Sequence, residues 1–403
     1  MLVLDEALPH PPDSGKRLRT WHLLRRLAQR HELVLLAYGS GSAAADRTAM
    51  AALSAVGIEC QLVAPPPDPR NWRLYARLLG TCISAWPYSV AKHHTARMES
   101  ALETLWGQRR FDLLQVEWTP VASHLRRFSP PHVIASHNIE AQIWRRRASV
   151  SATTAAKVFF HWQAEKMQRF ERAAFRRAAF VTTVSQPERH QAAALGARAT
   201  RVVANGVDLE SFHPRRCAPA QDRLLFLGAL DWHPNQDAIE YYLAEIAPRL
   251  RALRPQARLQ VVGRRPTARL RRLLQCQPGV ELVGEVEDVR PLLAGANAVV
   301  VPLRIGGGSR IKILEALAME KAVVSTRVGA EGLELSDGLH LRLADEPEKF
   351  AQAASELLAA PALAAELGRA GGAWVRRHHG WDACAASLEK AWREALAHGG
   401  GAA

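Results

Sequence analysis

Long apolar runs are missing from this chain of 403 residues: none approaches the roughly 20 consecutive apolar residues a membrane-crossing helix needs. The opening MLVLDEALPHPP has neither the basic head nor the apolar stretch of a secretory leader. Cysteine is scarce, and Cys60, Cys82, Cys217, Cys276 and Cys384 are odd in number, far apart and without CxxC spacing. Neither a disulfide framework nor a zinc site is expected, and a reducing cytoplasm is the simplest location. Lysine is rare too, with 8 of the 53 basic residues against 45 arginines. The arginines are scattered and not interleaved with aromatics, so no nucleic-acid partner is expected. No G-x-G-x-x-G follows the first apolar run, which disfavours a dinucleotide oxidoreductase.

What is present is an ordinary globular balance, 48% hydrophobic and 23% charged, with a formal charge of +14. This length predicts about two domains, each with its own core. The positive balance favours a phosphate-bearing partner, such as a nucleotide sugar or an anionic membrane surface.

Short apolar runs alternate with longer helical patterns. Strands are expected at residues 1–4, Leu33–Tyr38, Glu59–Val63, Leu113–Val116, Val133–Ser136, Val181–Val184 and Arg201–Val203. The second half adds Leu224–Leu227, Leu259–Val262, Val280–Val283, Ala298–Val301 and Ala322–Thr326. Such alternation predicts α/β architecture with parallel sheets. Runs such as AVVVPL do not alternate in polarity, as expected of strands covered on both faces. Periodicity breaks at Val207–Asp222, giving an expected division into 1–207, 208–375 and a C-terminal helix within 376–403. Residues 151–180 read as a basic amphipathic helix with Phe159, Trp162, Phe170 and Ala173 near one stripe. That pattern fits a core-facing domain helix or one lying on a membrane surface.

The strongest chemical signal is VPLRIGGGSRIKILEALA, from Val301. A buried strand leads into Gly306, Gly307 and Gly308, then a helix expected from about Ser309. Glycines let backbone N–H groups approach an anion closely, and the helix start adds its positive dipole end. Arg310 and Lys312 bring charge to the same place, so a diphosphate can be cradled without metal or cofactor. Glu315 lies where a carboxylate can reach ribose hydroxyls. The bland alternative is a flexible turn before a helix already accounted for by Ile311, Leu314 and Leu317.

In this order, PHPPDSGKRLRTWHLLRRLAQRHELVLL, SHNIEAQIWRRR, VTTVSQPER, VVANGVDLESFHP, FLGALDWHPNQDAI, VVGRRP, VELVGEVEDV and VVPLRIGGGSRIKILEALAMEKAVVST resemble a family 4 glycosyltransferase over nearly the whole chain. The resemblance implies the GT-B fold: two Rossmann-like domains facing each other across a cleft, acceptor side N-terminal and donor side C-terminal, with the final helix crossing back. It implies a retaining transfer of a hexosyl group from a UDP- or GDP-sugar to a glycan or lipid-linked acceptor at the cytoplasmic side; Arg126–Arg127, Arg145–Arg147 and Arg176–Arg177 offer peripheral contact with anionic membrane or are simply exposed helix faces. By the same resemblance, Glu315 matches the second glutamate of an E-x7-E motif, whose first glutamate is replaced here by Gly307. Relatives carry an arginine and a lysine where Trp232 and Asn235 stand, so Arg310 and Lys312 are expected to compensate.

Further positions follow from the resemblance. Gly15 matches a glycine turn that lets the loop approach donor phosphate or acceptor, with Lys16 and Arg19 beside it, or is simply a turn before a basic helix. His137 matches a histidine contacting the transferred sugar, with Glu140 either orienting it or only starting the next helix. Arg264, placed after the strand LQVV at a carboxyl end, is a candidate phosphate or sugar contact, and the loop at Val286 resembles the one whose backbone meets the nucleobase. Two competing functions share the diphosphate cradle: a nucleotide-sugar epimerase of the same fold and a binding-only relative.

Overall fold

The structure, a computed structural model, describes residues 1–67, 80–81, 84–126, 128, 130–151, 153–214, 221–305 and 310–399. The chain divides into two compact units, one formed by residues 1–204 with the segment from Asp382 on, the other by residues 205–305 and 310–381.

In the first unit, β1 (Leu2–Asp5), β2 (Leu33–Tyr38), β3 (Ile58–Val63), β4 (Leu114–Glu117), β5 (His132–Ser136), β6 (Phe180–Thr183) and β7 (Thr200–Val202) form one sheet in the order β3-β2-β1-β4-β5-β6-β7. Every neighbouring pair is parallel. In the second unit, β8 (Arg223–Leu227), β9 (Arg258–Val262), β10 (Val280–Gly284), β11 (Ala298–Val301), β12 (Ala322–Ser325) and β13 (Arg342–Leu343) run β10-β9-β8-β11-β12-β13, again all parallel. Each expected strand is present to within a residue at either end. β13 is additional: two half-buried residues give no periodic signal.

Strand order reverses between β1 and β4 and between β8 and β11. Such reversals open a crevice beyond the carboxyl ends of the strands, where open α/β sheets bind ligands. Both halves of the chain therefore direct attention to the same kind of place.

The Gly15–Leu27 helix starts where the Ser14 hydroxyl accepts the Arg17 N–H, and it is held by buried Leu23, Leu24 and Leu27. The Thr154–Arg177 helix corrects the expected apolar stripe. Its buried face is Gln163, Ala164, Lys166, Met167, Glu171 and Phe175, whereas Trp162 is 45% exposed. Polar residues face inward because each meets a partner there. Lys166 donates to the Thr81 and Ser84 carbonyls, Gln163 accepts the Tyr88 N–H, and Glu171 accepts the N–H groups of Glu140 and Ala141.

The last helix, Trp381–Gly399, buries Leu388, Ala391, Trp392 and Ala395. Ion pairs Arg26–Asp382, Arg30–Glu389 and Arg201–Glu394 fasten it within the first unit. Trp392 reaches inward and donates its indole N–H to Gln115 of β4. That bond gives the buried Gln115 a partner, while Glu117 on the same strand meets His137 and Thr20.

Candidate active site

At the end of the second sheet, the chain narrows to glycine where strands approach closely. A β-carbon on Gly263 would lie 1.8 Å from the Gly228 carbonyl oxygen, and one on Gly228 would lie 2.6 Å from Asn235 Nδ2 and 2.9 Å from Lys312 Nζ. Neither position has room for a side chain. Gly228 N–H donates to the Val262 carbonyl and Gly263 N–H to that of Gly284, so β8, β9 and β10 end in one hydrogen-bonded ladder.

Lys312 projects into this corner from the Ile311–Ala318 helix. Its ammonium donates to Asn235 Oδ1 at 2.7 Å and lies 4.7 Å from the Phe226 ring centroid. Asn235 is held in turn by donating from Nδ2 to the Ala229 carbonyl at 2.8 Å. Burial pushes the Lys312 pKa down to about 7, with Arg310 adding to the effect and Glu315 opposing it. Burial pushes Glu315 up to about 8 against the pull of Lys312. Among the described residues no hydrogen bond or ion pair holds the half-buried Glu315 carboxylate. The corner thus holds a cation and a carboxyl that both gain from a polar ligand.

Arg310 departs from expectation. It adopts a left-handed conformation, φ 48°, and its guanidinium turns to Glu331, donating to the carbonyl at 3.1 Å and the carboxylate at 3.3 Å. The helix begins at Ile311 with Arg310 as its cap. Gly306, Gly307, Gly308 and Ser309 lie outside the described residues. Arg264 follows β9 and has its Nε 3.8 Å from an Asp231 carboxylate oxygen. Val286 packs its side chain against the second unit's core.

At the end of the first sheet, register pairs Asp5 of β1 with Glu117 of β4, side by side at the reversal point. Both are 2% exposed. Lys16 reaches back from the first helical turn to pair with Asp5 and, at 3.0 Å, with Glu6. Burial still raises Asp5 to about 7, because Glu117 and Glu6 add repulsion and Lys16 offsets only part of the cost. Arg19 donates to the Val203 and Ala204 carbonyls. Both cations flanking Gly15 are therefore committed to protein partners, and Gly15 itself is the first helical residue, not part of an open turn.

His137 follows β5 and is buried, with Nε2 2.9 Å from Glu117 Oε2. The carboxylate beside His137 is thus Glu117, not Glu140. Glu140 instead accepts from Trp118 Nε1 at 2.7 Å and from Asn138 at 3.4 Å. Burial raises Glu140 to about 7. Trp118 sits at φ 89°, a strained conformation for a residue with a side chain, which the adjoining indole bond helps to hold.

Two family models match the chain. Glycosyltransferase Family 4 matches residues 15–211, and Glycosyl transferases group 1 matches residues 221–360. This chain belongs to the family 4, group 1 glycosyltransferases. The solved structures it resembles give the glycosyltransferase its fold, GT-B. Sucrose-phosphate synthase from Thermosynechococcus elongatus superposes with a TM-score of 0.73 at 18% identity, covering 98% of this chain and 99% of that one. HepE from Anabaena, in complex with UDP and glucose, gives 0.69 at 14% identity with 97% and 99% covered. Trehalose 6-phosphate synthase from Burkholderia multivorans gives 0.62 at 12%, with 98% and 99% covered. No curated protein sequence matches the glycosyltransferase.

Sequence reasoning missed two neighbours of the candidate residues. Asn235 was noted only as a departure from a family lysine, yet it anchors Lys312. Glu117 lies one residue past the expected strand Leu113–Val116, and its partners His137 and Thr20 come from distant parts of the sequence. No helix among the described residues is long and apolar enough to cross a membrane.

Proposed function

We propose that this glycosyltransferase moves a hexosyl group from a nucleoside diphosphate-sugar, UDP-sugar first and GDP-sugar as the alternative, to a glycan or lipid-linked acceptor with retention at the anomeric carbon. The observation that carries this reading is Lys312, held by Asn235 over a glycine corner at the carboxyl ends of β8 and β9. A UDP complex of the neighbour HepE supports the choice of base.

As the glycosidic bond opens, negative charge collects on the β-phosphate. Lys312, pre-positioned and poorly solvated, stabilises that charge more than it stabilises the intact donor, which is the condition for accelerating the step. Glu315 takes the ribose hydroxyls, and the loop at Val286 meets the base through its backbone. Gly306, Gly307, Gly308 and Ser309 supply amides to the diphosphate, with Arg264 a second positive group. Arg310 acts through Glu331 to shape the start of the helix. His137 orients the transferred sugar. The departing phosphate oxygen takes the acceptor's proton on the same face, so no separate protein base is required.

A peripheral contact with anionic membrane is supported by Val158 and Trp162, 64% and 45% exposed one helical turn apart, with Lys157 and Arg169 on the same helix. On this reading the enzyme works at the inner face of the membrane. A thermal-shift panel of UDP, GDP, ADP and their sugars tests the donor, since a ligand of the native state raises its stability. A rise with UDP and UDP-sugars only is expected; no rise with any nucleotide refutes the donor site. Flotation with anionic vesicles at low salt tests the membrane contact, and failure to float refutes it.

A further inference from the structure

Nothing in the transfer chemistry uses Glu117, yet its carboxylate is among the most heavily engaged groups in the first unit. Oε2 faces His137 Nε2 at 2.9 Å and accepts from the Thr20 hydroxyl at 3.3 Å. Oε1 accepts from the Gln115 side-chain amide, and Gln115 accepts the indole N–H of Trp392. The chain of bonds runs from the last helix through two residues of one face of β4 to an imidazole at the strand ends.

We propose that Glu117 is a positioning residue: it accepts the Nε2–H of His137 and so fixes the tautomer that leaves Nδ1 free to accept from a hydroxyl of the transferred sugar. This rests on the reading of His137 as the sugar contact. A carboxylate can only accept, so the imidazole nitrogen that faces Glu117 carries the proton and the other nitrogen is left to accept. Among the described residues no hydrogen bond engages His137 Nδ1.

The surrounding charges favour the same arrangement. Burial pushes the His137 pKa down and Glu117 opposes this, while Arg19 and Lys16 from the neighbouring helix push it further down. Burial would raise Glu117, but the His137 bond, Arg19 and Lys16 outweigh it and hold the carboxyl at about 2. Asp5 and Glu6 at the end of β1 are further charged neighbours, both paired to Lys16, with His93 3.3 Å from Glu6 and Glu140 close to both Glu6 and Lys16. A neutral imidazole donating to an ionised carboxylate is the consistent state. Trp392 and Gln115 then do for Glu117 what Glu117 does for His137, removing its freedom to rotate.

The test uses the full chain, with nitrogen-15 in its histidines. In the native protein near neutral pH, His137 is expected as the Nε2–H tautomer; an Nδ1–H tautomer overturns the proposal. Glu117→Gln should lower the His137 pKa and reduce kcat by about tenfold or more, with a smaller change in the donor KM. An unchanged kcat in a variant with native thermal stability overturns it. His137→Ala separates the two ideas: transfer at the native rate refutes the sugar contact, whereas the tautomer reports on Glu117 whatever His137 touches.

Discussion

Lys312 and Asn235 meet at 2.7 Å across 77 residues of sequence, one from a helix after β11 and the other from the helix after β8. Asn235 gives the ammonium a dipole and no compensating charge, so burial dominates and the pKa falls to about 7. The ligand that best satisfies such a group is an anion.

The pH dependence follows with a definite sign. In the ligand-free protein Lys312 is charged below about 7 and loses its proton above it, so UDP affinity should fall as pH rises through that range. Titration calorimetry from pH 6 to 8.5 checks this, and Lys312→Gln should flatten the dependence. Asn235→Asp places a negative charge beside the ammonium, so the midpoint should move up while overall affinity drops.

Lys312→Ala should lower kcat on the order of 100-fold if the ammonium acts mainly as charge develops in the transition state. Steady-state kinetics with the preferred UDP-sugar measure it. Loss confined to KM would mean that Lys312 contributes equally to ground state and transition state.

Two glycines near the same strand ends should behave differently. A methyl on Gly263 meets backbone at 1.8 Å and cannot be relieved by a side-chain movement. Gly263→Ala should therefore cost about 3 kcal/mol and abolish stabilisation by nucleotide. Gly284 has open space but φ +87°, so Gly284→Ala should cost only about 1 kcal/mol, the strain of a left-handed residue. Denaturant melts of both variants give the comparison.

Much of this fold was legible because its strands are covered on both faces: Ala298–Val301 and Leu33–Tyr38 announce themselves as unbroken apolar runs. The glycine corner was legible in part, since Lys312 and Glu315 follow a glycine run in sequence. Asn235 was not, because its role depends on a contact 77 residues away. The partners of β4 were not legible for a related reason: Gln115 meets Trp392, and Glu117 meets His137 and Thr20, all distant in sequence. The Thr154–Arg177 helix shows the converse, with Trp162 outside and Glu171 inside, because two backbone N–H groups wait for that carboxylate.

Glu171 also yields a stability prediction. Burial raises it to about 8, with Glu140 adding repulsion. A raised carboxyl binds its proton in the native state where the unfolded chain has lost it, so its contribution declines as pH rises from the usual carboxylate range through about 8. Glu171→Gln should make Tm fall less steeply between pH 6 and 8 than in the native protein. Parallel slopes would show that Glu171 does not titrate there.

The most direct test of the donor site is a crystal structure of the enzyme soaked with UDP. The β-phosphate is expected within about 3 Å of Lys312 Nζ, with the ribose hydroxyls on Glu315. Nucleotide bound away from both side chains would contradict the account.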